Sequence, residues 1–559
     1  MDEELITEFK ELFSFDKEKQ TSILNRIITD NIIKGDKIEI SHDVYKDTNI
    51  DKWSRNLPSL EGSKILIERL VRHPINDREL LEKRQKALIN YDIDIEILKE
   101  YEDDILWIYK IAEEINENNS IEILFPSSFI LSYINYIETL LDIYHMYKIF
   151  FIPITSILYP ISTFIAPYIY LNRYLKMNIS FRSYLDIIVE IIKMFCVSTG
   201  NFRTDLIKFI SIFFYIGIYL YNMYQTYEVA YFLYSTKDKL QNKMEGLVKF
   251  VNHSLNIMNN VPKNIIEPYF NIRTTYEGIS INNSMSCIYR IWKDDILKDK
   301  LSSLLKTIYA VDVIYSINNL FLEKDWSVVS YNNAETKFWD AKNPILSNTQ
   351  ISNPVSLDRN IIVTGPNAGG KTTYVKTILS NVILGQTIGI TYSIKSQMIL
   401  YDTVNSFMRV SDILGNRSYF EAEAEYCLNM INKAKEINAN NKSGLFLMDE
   451  PMHSTPPIEG MATAYAVIEY LSKLQGITLI ITTHFHRLIK LEEIYPERFI
   501  NLSVDAIPIN NKYHFPYKIN RGHSYLCIAI ELLDIKDFPK DIIDNAIKMK
   551  NKICNDINK

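Results

Sequence analysis

Three short stretches hold the residues whose types and spacing can do chemistry. The first, Ile361 to Thr373, reads IIVTGPNAGGKTT. Its four leading β-branched residues predict a short buried strand. Gly365 opens a tight loop, and Lys371, Thr372 and Thr373 begin a helix that continues as YVKTILSNVILG. This is G-x-x-x-x-G-K-[ST] in the strand–loop–helix setting its chemistry needs. Backbone N–H groups from Asn367 to Thr372 can cradle phosphate oxygens, and the helix N-terminus adds the positive end of its dipole. The candidate phosphate-binding residues are therefore Gly365, Pro366, Asn367, Ala368, Gly369, Gly370, Lys371, Thr372 and Thr373. Lys371 would act as the catalytic charge on the β- and γ-phosphates, and the Thr372 hydroxyl would take a Mg²⁺ coordination position.

The second stretch, Gly444 to Glu450, reads GLFLMDE, an apolar strand ending in two carboxylates. Behind a phosphate loop, Asp449 is placed to hold the Mg²⁺ shell and Glu450 to polarise a water as general base. The third, Thr478 to Thr482, is another apolar strand, followed by Thr483 and His484. A histidine at such a strand end can read the γ-phosphate or hold the water.

Together, TGPNAGGKTT, DEPMHSTPPIEG and TTHFH resemble the ATPase domain of the MutS family. Arg417 to Glu423 (RSYFEAE) is similar to that family's S-x-F-x-x-E segment. The resemblance implies an α/β P-loop NTPase domain of the ABC/MutS type, with ATP and Mg²⁺ as cofactors. It implies that Ser418 acts in trans across a homodimer or paralogue dimer, that Asn367 lies beside the nucleotide, and that mismatched or branched DNA is the partner. The Leu-Ser-Gly-Gly-Gln signature of ABC transporters is absent. His514 to Leu533 resembles the domain's closing strand, turn and helix, and Phe538 to Lys550 the start of a C-terminal dimerisation element.

The elements that must position these residues divide the 559-residue chain into four expected regions: a helical lead-in (1–59), a helical MutS-like core and lever region (60–330), the ATPase domain (331–535) and a helical dimerisation element (536–559). Some sixty residues before the core cannot hold the family's mismatch-recognition domain. Phe9, Leu12 and Phe13 sit at helical spacing, so the triplet Phe9-Lys10-Glu11 is read as helix face and not as a mismatch wedge. In the core, Ile65, Leu66, Leu70 and Val71 mark one helix, and Asn76 or Asp77 caps the next, with Leu80, Leu81, Ala87 and Leu88 inward. Leu301 to Leu320 resembles a core helix with a central Asp312. The net charge of −7 supplies no global attraction to nucleic acid. Five scattered cysteines suit a reducing compartment, and the acidic N-terminus lacks the apolar stretch of a signal peptide.

The middle of the core departs from a soluble lever. Residues 149–171 and 209–227 carry no charge, and each is long enough to cross a bilayer. Lys148, Arg173 and Lys208 flank them, with tyrosines near the ends. Pro153, Pro160 and Pro167 interrupt the first, and the loop between the two has a basic excess; both features favour a pair of buried lever helices instead. Two localisations follow: a cytoplasmic or nuclear DNA-associated protein, or an integral membrane protein with its ATPase facing the cytoplasm.

Overall fold

The structure is a computed structural model that describes residues 16–89, 92–114, 124–198, 200–262, 264–347, 349–408, 419–509, 512–524, 530–531, 533, 536 and 538–557. The chain forms two compact units whose segments alternate along the sequence. The first comprises Met1–Ile27, Ile97–Asn256 and Thr274–Leu304; the second comprises Ile28–Glu96, Ile257–Arg273 and Leu305–Lys559. Phe9, Lys10 and Glu11 lie outside the described residues.

The first unit is built from helices. The main ones are α1 (Glu96–Glu114), α2 (Glu138–Met146), a π-helical turn (Tyr147–Phe151), α3 (Ile152–Arg173), α4 (Phe181–Cys196) and α5 (Phe202–Asn260). α5 changes character along its length. From Ala230 onward, Leu233, Leu240, Met244, Leu247 and Val251 recur at helical spacing and are buried. Gly246 allows α1 to approach, since a Cβ there would meet Asp104 Oδ2 at 1.9 Å. The Asp104 carboxylate pairs with Lys243 on the same face. Between Phe209 and Tyr221 the helix is apolar on all sides. Both charge-free segments are helical, and no residue in the most apolar 18-residue stretch of either helix is buried. Neither stretch packs into a core of this chain.

The second unit is organised by a seven-stranded sheet. Its strands are β1 (Glu39–Ile40), β2 (Asn360–Thr364), β3 (Thr403–Phe407), β4 (Gly444–Asp449), β5 (Ile477–Thr482), β6 (Phe499–Val504) and β7 (Ile519–Arg521). The order is β1-β3-β4-β5-β2-β6-β7. Every pairing is parallel except β6 with β7. A parallel sheet is covered on both faces, which is why Ile361, Ile362 and Val363, Leu445 to Met448, and Leu479 to Ile481 form unbroken buried runs. The covering helices include α6 (Lys371–Thr387), α7 (Tyr419–Ala439), α8 (Pro457–Ser472) and α9 (His486–Ile494). A second, five-stranded sheet includes Lys337–Ala341 and Lys395–Met398.

Two helices of the second unit begin where the sequence places them. Glu61–Val71 buries Ile65, Leu66, Leu70 and Val71. Asp77, rather than Asn76, caps Arg78–Lys86 by accepting from Leu80 N at 3.0 Å. Arg84, a charged residue on the same helical stripe as Leu80 and Ala87, is fully buried. Its guanidinium donates to the carbonyls of Pro268 (3.1 Å), Lys34 (2.7 Å) and Thr387. Asp312 is likewise buried and accepts from Ser59 N (3.1 Å) and Leu60 N (2.9 Å) at the start of the helix Glu61–Val71. Asp312→Ala leaves both amides without that acceptor, at a cost of about 1–3 kcal/mol. Thermal unfolding of the variant should show a midpoint several degrees lower, and an unchanged midpoint would contradict this role.

Candidate nucleotide-binding site

The register of the sheet brings the three stretches together. Ile481 and Thr482 pair with Ile362 and Val363 on one side and with Met448 and Asp449 on the other. β2, β5 and β4 therefore end at one level, and the residues after them share one edge. Ligands of open α/β sheets bind outside this carboxyl edge.

At the end of β2 the backbone turns through Gly365 (φ 136°), Ala368 (φ 66°) and Gly370 (φ 99°) before α6 begins at Lys371. A Cβ on Gly365 would lie 2.3 Å from Val504 O, so only glycine fits there. The Lys371 ammonium is buried. It donates to Gly365 O at 2.9 Å and Pro366 O at 3.3 Å, and it lies 3.1 Å from His484 Nε2. The Thr372 hydroxyl donates to Asp449 Oδ2 at 3.2 Å, and the Thr482 hydroxyl donates to Asp449 Oδ1.

The adjacent acids are held differently. Burial raises the Asp449 carboxyl above its ordinary range, offset by the hydroxyls of Thr482 and Thr372. The hydrogen bond from His484 lowers that of Glu450, with further help from the His484 and Lys371 charges. His484 Nε2 lies 2.9 Å from Glu450 Oε1 and 2.8 Å from Asn367 Oδ1. One imidazole thus links the phosphate loop to the second carboxylate.

The turn carrying Glu450 is strained. Glu450 (φ 51°) and Met452 (φ 62°) both occupy the left-handed region, which costs a side-chain-bearing residue on the order of 1 kcal/mol. Glu450 N donates to Thr482 O at 3.0 Å. Beyond it, Glu423 of α7 accepts from His453 N (3.2 Å), Ser454 N (3.3 Å) and the Ser454 hydroxyl. Sequence inspection passed over Glu423 as a holder of this turn; the signal lay in two amides next to an acidic strand end, which need an acceptor.

Two cavities open here. One of 790 Å³ is bordered by Asn367, Lys371, Thr372, Asp449, Glu450 and His453. A second, of 320 Å³, is bordered by Leu346, Ile351, Tyr374 and Tyr517. They share Gly370, Thr373 and Tyr517. The sequence reading singled out neither Ile351 nor Tyr517, because a pocket built from distant loops leaves no local pattern. Ser418 and Arg417 lie outside the described residues.

Residues 361–554 match the family described as MutS domain V. Over that span the chain carries the MutS family's domain V. It is similar to the DNA mismatch repair protein MutS of Geobacillus sp. (strain WCH70), at 28% identity over 44% of this chain and 29% of the relative. The MutS of Listeria monocytogenes serotype 4a (strain HCC23) is 26% identical over 49% of this chain and 33% of the relative. That of Clostridium perfringens (strain ATCC 13124) is 28% identical over 44% of this chain and 28% of the relative. Each match covers a third or less of the MutS relative's own length. Domain V is the family's ATPase domain, and its span contains the loop, both acids and His484.

The Glu450–His484 contact gives a pH prediction. A carboxyl lowered by folding contributes stability that is present above its unfolded value, about 4.3, and lost as pH falls through the lowered folded value. His484→Ala removes the lowering bond, so the acid limb of the midpoint-versus-pH curve should move to higher pH. A curve that coincides with that of the parent protein would show that the contact does not govern Glu450.

Proposed function

We propose that this chain is a Mg²⁺-dependent ATP hydrolase whose sites are completed in a dimer, and that its cycle is coupled to mismatched or branched DNA. The convergence of Lys371, Thr372, Asp449 and Glu450 on one cavity, with His484 bonded to Lys371 and Glu450 behind it, carries the ATPase reading. The Thr372 hydroxyl and the Asp449 carboxylate are oxygen donors of the kind a hard divalent cation takes, and they already lie within 3.2 Å of each other. A cation there would neutralise charge on the β- and γ-phosphate oxygens. Lys371, now bonded to loop carbonyls, exchanges them for phosphate oxygens when nucleotide enters. Glu450, held ionised, accepts the proton of the attacking water. His484 orients that carboxylate and reaches the γ-phosphate. Ser418 of the partner subunit closes the site, and a homodimer or paralogue dimer supplies it. The purine fits the smaller cavity, where Tyr517 and Ile351 offer apolar faces next to the phosphate loop.

The DNA part of the proposal is supported by the name the similar proteins carry, DNA mismatch repair protein. A second reading, a membrane-anchored MutS-like ATPase without mismatch recognition, is supported by the two exposed apolar helices. The site chemistry is the same in both; the load driven by closure differs. The first reading suits a cytoplasmic or nuclear DNA-associated protein, the second an integral membrane protein whose ATPase faces the cytoplasm.

Glu450→Gln should lower kcat by about 10²–10⁴ while nucleotide still binds, and Lys371→Ala should lose nucleotide binding. Normal turnover in Glu450→Gln would remove the assigned base. Hydrolysis measured with duplex, mismatched and branched DNA separates the readings. Stimulation by mismatched or branched DNA supports the first, and indifference to all three overturns the DNA coupling.

A further inference from the structure

The exposed helices of the first unit have a geometry that composition alone does not reveal. The segment from α2 through α3 runs antiparallel to α5. Asp142 pairs with Lys237 at 2.8 Å, and the Tyr219 hydroxyl donates to Ile157 O at 3.2 Å. Going up one helix from 142 to 157 corresponds to going down the other from 237 to 219. The two charge-free windows, 149–171 and 209–227, therefore lie side by side. Lys148 and Glu228 stand at one end of this shared slab, and Arg173, Asp205 and Lys208 at the other. At 1.5 Å per residue the longer window rises about 33 Å, close to the roughly 30 Å of a bilayer's hydrocarbon core.

The surface of the slab fits lipid better than protein. Phe213, Phe214, Tyr215 and Ile216 are consecutive and all exposed, so the apolar surface encircles α5. A protein partner needs one stripe; an all-round apolar helix needs an apolar solvent. About twenty large apolar side chains are exposed in the two windows. Apolar surface of that extent, left in water, opposes the exposed arrangement. Tyr159, Tyr215 and Tyr219 lie within the slab, and further tyrosines stand at its two ends: Tyr144, Tyr147, Tyr227 and Tyr231 at one, Tyr170 and Tyr174 at the other. That is where an aromatic belt sits.

The prolines of α3 complete the case. Pro160 and Pro167 lie inside the helix and supply no N–H to the preceding turn. In each opened turn the carbonyl three residues before the proline accepts a tyrosine hydroxyl from another helix. Ile157 O accepts from Tyr219 of α5, and Phe164 O accepts from Tyr184 of α4 at 2.6 Å. The carbonyls that lose an N–H partner are those four residues before each proline, Ser156 and Thr163, and the tyrosine bonds fall on the carbonyls next to them; proline-opened turns braced by neighbouring helices are a form that membrane helices tolerate. α4 is different again. Arg182, Asp186, Glu190 and Lys193 form one polar stripe on a helix whose other faces expose Leu185, Ile187, Ile191 and Ile192. At 16 residues it rises only about 24 Å, too short to cross. A charged stripe on an apolar helix suits the headgroup boundary.

We infer that a lipid bilayer surrounds this hairpin: α3 crosses it, the first half of α5 returns, and α4 lies at the boundary of the opposite leaflet. This rests on the membrane-anchored reading and adds its topology: both ends of the hairpin on the ATPase side, residues 174–201 on the other. The test uses the full chain in sealed vesicles with the ATPase facing out. A protease site is inserted after Gly200, where the surroundings are open, or after Gly278, in an exposed turn of the same unit. The chain should stay in the membrane after an alkaline carbonate wash. The Gly278 site should be cut in intact vesicles, and the Gly200 site only after detergent opens them. Membrane retention with the Gly200 site cut in intact vesicles would overturn the crossing but keep the anchor. Release of the unmodified chain by carbonate, including as a soluble oligomer that covers the hairpin with a second copy, would overturn the anchor as well. Neither result touches the ATP site.

Discussion

One row of residues across the sheet, Val363–Thr482–Asp449, sets the level at which three parallel strands stop. Everything in the candidate site depends on that register. It brings the start of the Gly365–Gly370 loop, the Asp449 carboxylate and the approach to His484 to one edge. Thr482 occupies the centre, and its hydroxyl reaches Asp449 while its carbonyl takes Glu450 N. A slip of one residue in any of the three strands would take its end residue out of this level and send each of its side chains to the opposite face of the sheet.

The same edge separates two adjacent acids into two electrostatic settings. Asp449 is half-buried and accepts from the hydroxyls of Thr372 and Thr482. Glu450 points the other way because its backbone enters the left-handed region, and there it meets His484. Such strain persists only where neighbours over-determine it. Here the neighbours are the Thr482 carbonyl before the turn and the Glu423 carboxylate after it. Domain V supplies both acids, and its cradle is bordered by a tyrosine, Tyr517, from a strand-end loop well beyond His484.

The helical unit answers to a different solvent over part of its length. α5 is amphipathic with a buried face after Ala230, and apolar all round between Phe209 and Tyr221. Gly246 and the Asp104–Lys243 pair hold the first kind of packing; the tyrosine bonds to Ile157 and Phe164 hold the second. One continuous helix can serve both only if its surroundings change along its axis.

Local chemistry was legible in the sequence wherever a motif is contiguous. The phosphate loop, the acid pair after an apolar strand, and the histidine after the next could all be read because each depends on neighbours in the chain. So could the helix spanning Glu61–Val71 and the two charge-free windows, because their periodicity or lack of charge is local. Tertiary structure alone decided what depends on distant partners. Arg84 is buried because three carbonyls from separate segments converge on it, Glu423 because a turn thirty residues away lacks an acceptor, and Tyr517 because a loop folds back over Gly370. The alignment of the two windows was likewise invisible, since a one-dimensional pattern shows length and polarity but not register. Composition selects the solvent for each segment; only packing sets the level at which one segment meets another.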